Sequence, residues 1–447
     1  MISYLAKANI GKSLLFLFAW ALVVTVPHFQ QTNSVRASLL CLLLTLVAFH
    51  SIRNLLEVEL SPRTISLTLF AILSVYLVAL SLFYQGIDFL YLYWSKLGAG
   101  SMELGDSLFP FGDLAHLISA VDCEEPAVVG ANVCDPWERS LNQNPITIEV
   151  FRLFNFSNLG FVGISSTILF FFVTYLFNRN HKVANFSMPL FLISPVAILA
   201  IERGNELITL TLILGGFLLL EQEKLVLQPL GAIFLGCAAI FKLWPVIIIV
   251  SLLVLSNRYF RVLTELLLAI PIVYWILNFN LAKIAVQNTQ LGSPSGVSFG
   301  AKLFLDVRIP ALLQFFYVAL LSTGIFFLIR YLARDKSIAM QICSSRLEAV
   351  ILVSIFLTYF CVWLVGQNFM YRLLLLLPAL LILVRPHNWN YFASRFLVSV
   401  ILLTSFSAKL QISMVLTGVL ACVGLYLTII LVWKWSEFKL TGNIFQA

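Results

Sequence analysis

Apolar residues come in long runs from Leu14 to Val432, and one polar stretch, residues 85 to 158, is the only long interruption. A helix crossing about 30 Å of hydrocarbon needs roughly twenty apolar residues. By that template the runs predict spans near residues 13–29, 36–51, 64–84, 159–177, 186–201, 206–221, 225–241, 245–256, 262–280, 310–330, 347–365, 370–385, 396–408 and 411–433. The first run follows Lys7 and Lys12 and is followed by Pro27, His28 and Phe29, with no small-residue cleavage site. It therefore reads as a retained span, not a removed leader. The expected fold is an all-α polytopic membrane protein of about fourteen transmembrane helices. Residues 1–84 would hold the first three helices, 85–158 an extracytoplasmic loop domain, and 159–447 the remaining helices joined by short outer loops.

Composition agrees with this reading. Hydrophobic residues make up 60% of the chain and charged ones 11%, where a soluble domain carries roughly a quarter charged. Mean hydropathy is +0.97. The net charge of +7 does not point to nucleic acid, because the basic residues are dispersed between apolar segments and form no patch. Their sidedness is more informative. With the N- and C-termini in the cytoplasm, 17 of the 28 Lys and Arg fall inside and 11 outside. Three of the outer ones, Lys96, Arg139 and Arg152, lie in the long loop, where the positive-inside rule has little force. Omitting one early span would invert every later loop and destroy this bias. A bacterial plasma membrane is the expected location, since no endoplasmic-reticulum retention signal is visible.

Of seven cysteines, only Cys123 and Cys134 fall in the long polar segment. A close pair confined to an outward loop suggests a disulfide in an oxidising compartment. Two free thiols, or half of a metal site, are the alternatives.

Polar and ionisable residues collect at the predicted outer ends of helices. Ile201-Glu202-Arg203-Gly204-Asn205-Glu206 packs three charges between two apolar runs, and Phe241-Lys242-Leu243-Trp244-Pro245 sets a lysine at a helix junction. Gly366-Gln367-Asn368-Phe369-Met370-Tyr371-Arg372 precedes a leucine run ending at Pro378. Cations on this side run against the sidedness trend. Arg and Lys at such an interface suit phosphate, Arg through its fork and Lys as a point charge. Plain interfacial snorkelling explains them without a ligand. The long loop supplies acids. Asp113, in Phe109-Pro110-Phe111-Gly112-Asp113-Leu114-Ala115-His116, follows a glycine at an expected helix start and is a candidate general base or simply an N-cap. Asp88 is a second candidate base. The five histidines are scattered and only His116 lies near this group, so no metal is expected. A transporter would carry ionisable groups near the middle of its spans, and the runs are nearly free of charge there.

These segments, in this order and on one side, resemble the GT-C superfamily of membrane glycosyltransferases, most closely glycosyltransferase family 87, the polyprenyl-phosphate-mannose-type transferases. The resemblance covers roughly residues 85 to 385. It rests on Gly112-Asp113-Leu114-Ala115-His116, Cys134-Asp135-Pro136-Trp137, Asn144-Pro145, Arg203-Gly204-Asn205-Glu206, Lys242-Leu243-Trp244-Pro245 and Tyr371-Arg372. It implies a GT-C-like helical bundle that moves a sugar from a polyprenyl-phosphate donor to a hydroxyl of a glycan or glycolipid acceptor. The reaction would invert the anomeric carbon, with Asp113 as base and no cofactor beyond the lipid-linked donor. Arg203, Lys242 and Arg372 would hold the donor phosphate, with Asn205, Glu206, Gln367, Tyr371 and His116 as further binding residues. Two other functions compete. A polymerase or ligase of lipid-linked glycans needs a second large outer loop, for which residues 281–309 are the short candidate. A lipid or glycan transporter needs buried midplane charge.

Overall fold

A computed structural model of the chain describes residues 51–52, 54–84, 111–121, 123, 144–183, 185–222, 224, 226–256, 260–288, 298–299, 346–365, 368–385, 392–406, 417–429 and 431–432. The apolar runs at 13–29, 36–51 (all but its last residue) and 310–330 lie outside the described residues. Among the described residues the architecture is helical, apart from one two-residue strand pair. In order it comprises α1 (Pro62–Tyr84), α2 (Gly112–Val121), α3 (Pro145–Leu153), α4 (Leu159–Asn180), α5 (Ser187–Leu192), α6 (Pro195–Arg203), α7 (Asn205–Leu220) and α8 (Leu227–Phe241). It continues with α9 (Val246–Ser256), α10 (Val262–Leu277), α11 (Phe279–Asn288), β1 (Ser298–Phe299), α12 (Arg346–Val365), β2 (Asn368–Phe369) and a 3-10 helix, Met370–Leu376. Last come α13 (Leu377–Leu383), α14 (Phe392–Phe406) and α15 (Thr417–Ile429).

Helix starts follow local chemistry. Asn144 caps α3 by accepting from the Ile146 N–H, with Pro145 in the first turn where its missing donor costs nothing. Asn158 caps α4 and Ser194 caps α6 in the same way. Several hydroxyls inside the apolar helices turn back on their own backbone, among them Ser166, which donates to the Val162 carbonyl, Thr358 to Ser354 and Thr404 to Val400. That keeps them satisfied where water is absent.

Helices α1, α4 and α12 are long and apolar enough to cross a bilayer, and α6 with α7 make a fourth candidate if that pair, bent by 106°, counts as one span. Outer surfaces are also apolar. Along α10, Val262, Leu263, Leu266, Ile270, Val273, Ile276 and Leu277 are 51% to 78% exposed, while Thr264, Leu268, Pro271 and Trp275 are buried. The exposed set recurs every three to four residues, so one whole face of the helix is hydrocarbon turned outward. Water does not tolerate such a face at this extent. The chain is a membrane protein.

Two polar ends with an apolar layer between them organise the bundle. Helix α4 begins beside Phe111 and ends where His181 meets Glu221 at the end of α7, with Nε2 and Oε1 3.2 Å apart. So α4 and α7 run the same way, and residues 183–204 return between them in two short pieces, α5 and α6. The run at 186–201 is thus broken at Ser194-Pro195, because proline removes a donor and serine caps the new start. Nine residues of α6 rise only about 14 Å. Helix α8 returns antiparallel to α7. Close approach of small residues makes that contact: a Cβ on Gly231 would lie 2.8 Å from the Gly216 carbonyl oxygen, and one on Gly216 would lie 2.7 Å from Leu235. The run at 370–385 is also broken, into the 3-10 helix and α13. At its far end Arg385 pairs with Glu348 of α12.

Candidate functional site

At the opposite end from His181 and Glu221, five charged side chains come together from four separate parts of the chain. The elbow between α6 and α7 supplies two of them. Gly204 holds φ +74°, a conformation other residues adopt at a cost, and turns the chain between Arg203 and Glu206. A Cβ there would also lie 2.9 Å from the Phe111 ring and 3.3 Å from Leu114 Cβ. Phe111 itself is fully buried with φ +62°. Its ring occupies the space a side chain at Gly163 would need, since a Cβ at that position would fall 2.3 Å from it. The ring therefore wedges the start of α2 between α4 and the elbow.

Asp113, in the first turn of α2, then faces Arg203. Its Oδ1 is 3.6 Å from Arg203 Nη1, and a Cβ on Gly112 would lie 3.4 Å from the same nitrogen. Arg203 is buried, while the Asp113 side chain keeps 21% exposure. Glu206 is 2% exposed and places Oε1 3.6 Å from Arg372 Nε, on the 3-10 helix packed against α6 and α7. At 3.6 Å these are charge contacts, longer than a charge-assisted hydrogen bond.

Lys242 completes the cluster. It is the C-cap of α8, in extended conformation, and its ammonium senses Glu206, Arg372 and Asp113. Burial holds its pKa below the usual lysine value, with Glu206 the strongest opposing influence. Asn144 fixes the end of α8: its Nδ2 donates to the Ile240 carbonyl at 3.2 Å, and its Oδ1 accepts from the Tyr274 hydroxyl at 2.8 Å. One amide thus joins α3, α8 and α10 two residues before Lys242.

The structure accordingly brings together Asp113, Arg203, Glu206, Lys242 and Arg372. His116 is buried one turn along α2 from Asp113. Asp88, Gln367 and Cys134, and the side chains of Asn205 and Tyr371, lie outside the described residues. Cys123 is disulfide-bonded, and its partner lies outside the described residues. Among the described residues no three His, Cys, Asp or Glu are grouped to hold a metal ion. Sequence reasoning missed Phe111 as a wedge, Asn144 as a tie and residues 298–299 as neighbours. Ser298 and Phe299 pair antiparallel with Phe369 and Asn368, which sets residues 298–299 against the entry to the 3-10 helix. The two glycines facing Phe111 were the available signal for the wedge.

No family model, curated protein or solved structure matches this chain. The site must be read from its own chemistry. Among the described residues, three cations and two carboxylates share one end of the bundle, and one carboxylate keeps contact with solvent. Such a group can hold an anion against Arg203, Lys242 and Arg372 while Asp113 accepts a proton beside it.

Proposed function

We propose that the protein is a multi-pass membrane glycosyltransferase of the GT-C type, with about fourteen spans, that moves a sugar from a polyprenyl-phosphate donor to a hydroxyl acceptor at the extracytoplasmic face. The observation that carries this reading is the meeting of Asp113 with Arg203, Glu206, Lys242 and Arg372 at one end of the bundle. In the proposed reaction the acceptor oxygen attacks the anomeric carbon and the bond from that carbon to the phosphate oxygen breaks. The acceptor proton passes to Asp113. Negative charge growing on the departing lipid phosphate is stabilised by the cations, already in place and partly shielded from water. Attack on the face opposite the leaving group inverts the anomeric centre.

The disposition of charge favours an enzyme at a surface over a conduit. Described charged residues of α4, α7, α8, α10 and α12 sit at helix ends, not midway. Asp113→Asn, purified and given a polyprenyl-phosphate sugar with its acceptor, should lose transfer while keeping its melting temperature. Full activity in that variant removes Asp113 as the base, and transfer from a nucleotide sugar alone overturns the donor class.

A further inference from the structure

Glu206 has no obvious task in holding a phosphate, since a carboxylate repels one. Its place is nonetheless specific. It is 2% exposed, and one oxygen, Oε1, faces Arg372. The other, Oε2, is buried with no hydrogen-bond partner. A structural explanation would make Glu206 a cap for α7, but that helix is capped by Gly204 with no side-chain bond, and Oε2 accepts from no backbone N–H. A counter-ion role for Lys242 and Arg372 accounts for the charge but leaves Oε2 unused. An unfilled acceptor on a buried carboxylate is costly. One turn further along α7, Thr209 is fully buried and its hydroxyl is also without a partner. The unfilled oxygen of Glu206, buried beside a cation cluster, marks a place for a ligand that brings its own donor.

We infer that Glu206 recognises a ring hydroxyl of the transferred sugar, accepting its O–H at Oε2 while Oε1 holds Arg372. This rests on the glycosyltransferase reading and deepens it: the cations bind the phosphate, and Glu206 tells a sugar-bearing lipid from the spent carrier. A neutral hydroxyl is the fitting donor, because a second cation would crowd Arg372 and Lys242. Release follows from the same arrangement. Once the sugar has left, polyprenyl phosphate keeps its cations but loses the Glu206 contact, and it binds more weakly than the donor.

The test measures binding of a panel of polyprenyl-phosphate sugars (mannose, glucose, galactose, arabinose) and of sugar-free polyprenyl phosphate to the full-length protein in nanodiscs. Wild type should prefer at least one sugar-bearing lipid over the bare phosphate. Glu206→Gln should lower that preference by about 10-fold or more, with bare polyprenyl phosphate bound as well as before or better. Glu206→Asp keeps the charge and shortens the reach, so it should lose the same preference, and it serves if the Gln variant does not fold. Equal loss for both lipids would make Glu206 a support for the cations and overturn the inference, as would an unchanged preference or none in wild type. Failure of wild type to bind any polyprenyl phosphate would instead overturn the glycosyltransferase reading itself.

Discussion

The Phe111 wedge makes a prediction with a distinctive pattern. A Cβ on Gly163 collides with the ring, at 2.3 Å, inside an otherwise regular helix. A methyl in that gap forces the ring or α4 to move, at a cost of about 1–3 kcal/mol for an overpacked core. Against this, alanine in a helix interior is worth roughly 0.5–1 kcal/mol more than glycine. Gly163→Ala should therefore destabilise the wild-type protein by about 0–2.5 kcal/mol. Phe111→Ala alone should cost about 3–5 kcal/mol, as expected for emptying a buried ring site. In the Phe111→Ala background the collision is gone, so Gly163→Ala should become neutral or stabilising, with a coupling of about 1–3 kcal/mol. Gly204→Ala behaves differently. Its clash with the ring disappears in that background, yet its φ of +74° remains, with a cost of about 1–3 kcal/mol for a strained backbone. Rescue at 204 should be partial where rescue at 163 is complete. Melting temperatures in detergent read this series, at about 2 °C per kcal/mol or less for a chain of this size. Additive effects at Gly163 and Phe111 would refute the wedge.

Other outcomes follow from the same geometry. Asp113→Asn should lower sugar transfer by about 10²- to 10⁴-fold, the usual contribution of a general base, with little change in donor affinity. Burial lowers the Lys242 pKa, so donor binding should weaken in alkaline solution while an exposed lysine is still charged; Lys242→Arg should remove that weakening, and an unchanged profile would exclude Lys242 from phosphate binding. Peptide mapping without reductant should find Cys123 joined to Cys134; a bond to Cys41 or Cys343 would contradict the sidedness drawn from the basic residues.

Much of the bundle was legible because its elements are long and their neighbours are nearly all apolar. The runs at 64–84, 159–177, 206–221 and 347–365 became helices Pro62–Tyr84, Leu159–Asn180, Asn205–Leu220 and Arg346–Val365. Two runs were less regular than hydropathy implies. Hydropathy does not register that Ser194-Pro195 begins a new helix, or that Met370–Leu376 winds as a 3-10 helix before Leu377. The charged members of the site were legible for a simple reason: in a chain with 11% charged residues, a cation in a short loop between apolar runs stands out. What positions those charges was not legible. Phe111 reads as one of 38 phenylalanines, and its wedge exists only through Gly163 and Gly204, 52 and 93 residues away. Asn144 stands out in the sequence only as the residue before Pro145, and only the fold shows it capping α3 and bonded to Ile240 and Tyr274.

The two polar ends differ in a way that bears on function. At the end holding His181, Glu221, Glu348 and Arg385, the close contacts named above are one to one: Arg385 with Glu348, His181 with Glu221. Those contacts tie helix ends together and need no ligand. At the other end Arg203, Lys242 and Arg372 gather around Asp113 and Glu206. Bringing like charges together under partial burial opposes folding, because each must shed water and the cations repel one another. Lys242 registers that cost in its lowered pKa. Structural needs alone would be met by apolar residues at these positions, as they are along most of α7 and α8. In the proposed reaction the lipid phosphate binds among these cations, which an elbow glycine, a buried wedge and an asparagine tie hold in place. Phosphate or sulfate should accordingly raise the melting temperature of the wild-type protein, and Arg372→Gln should reduce that gain. No gain in wild type would mean the cations are balanced already, and the anion site would be lost with it.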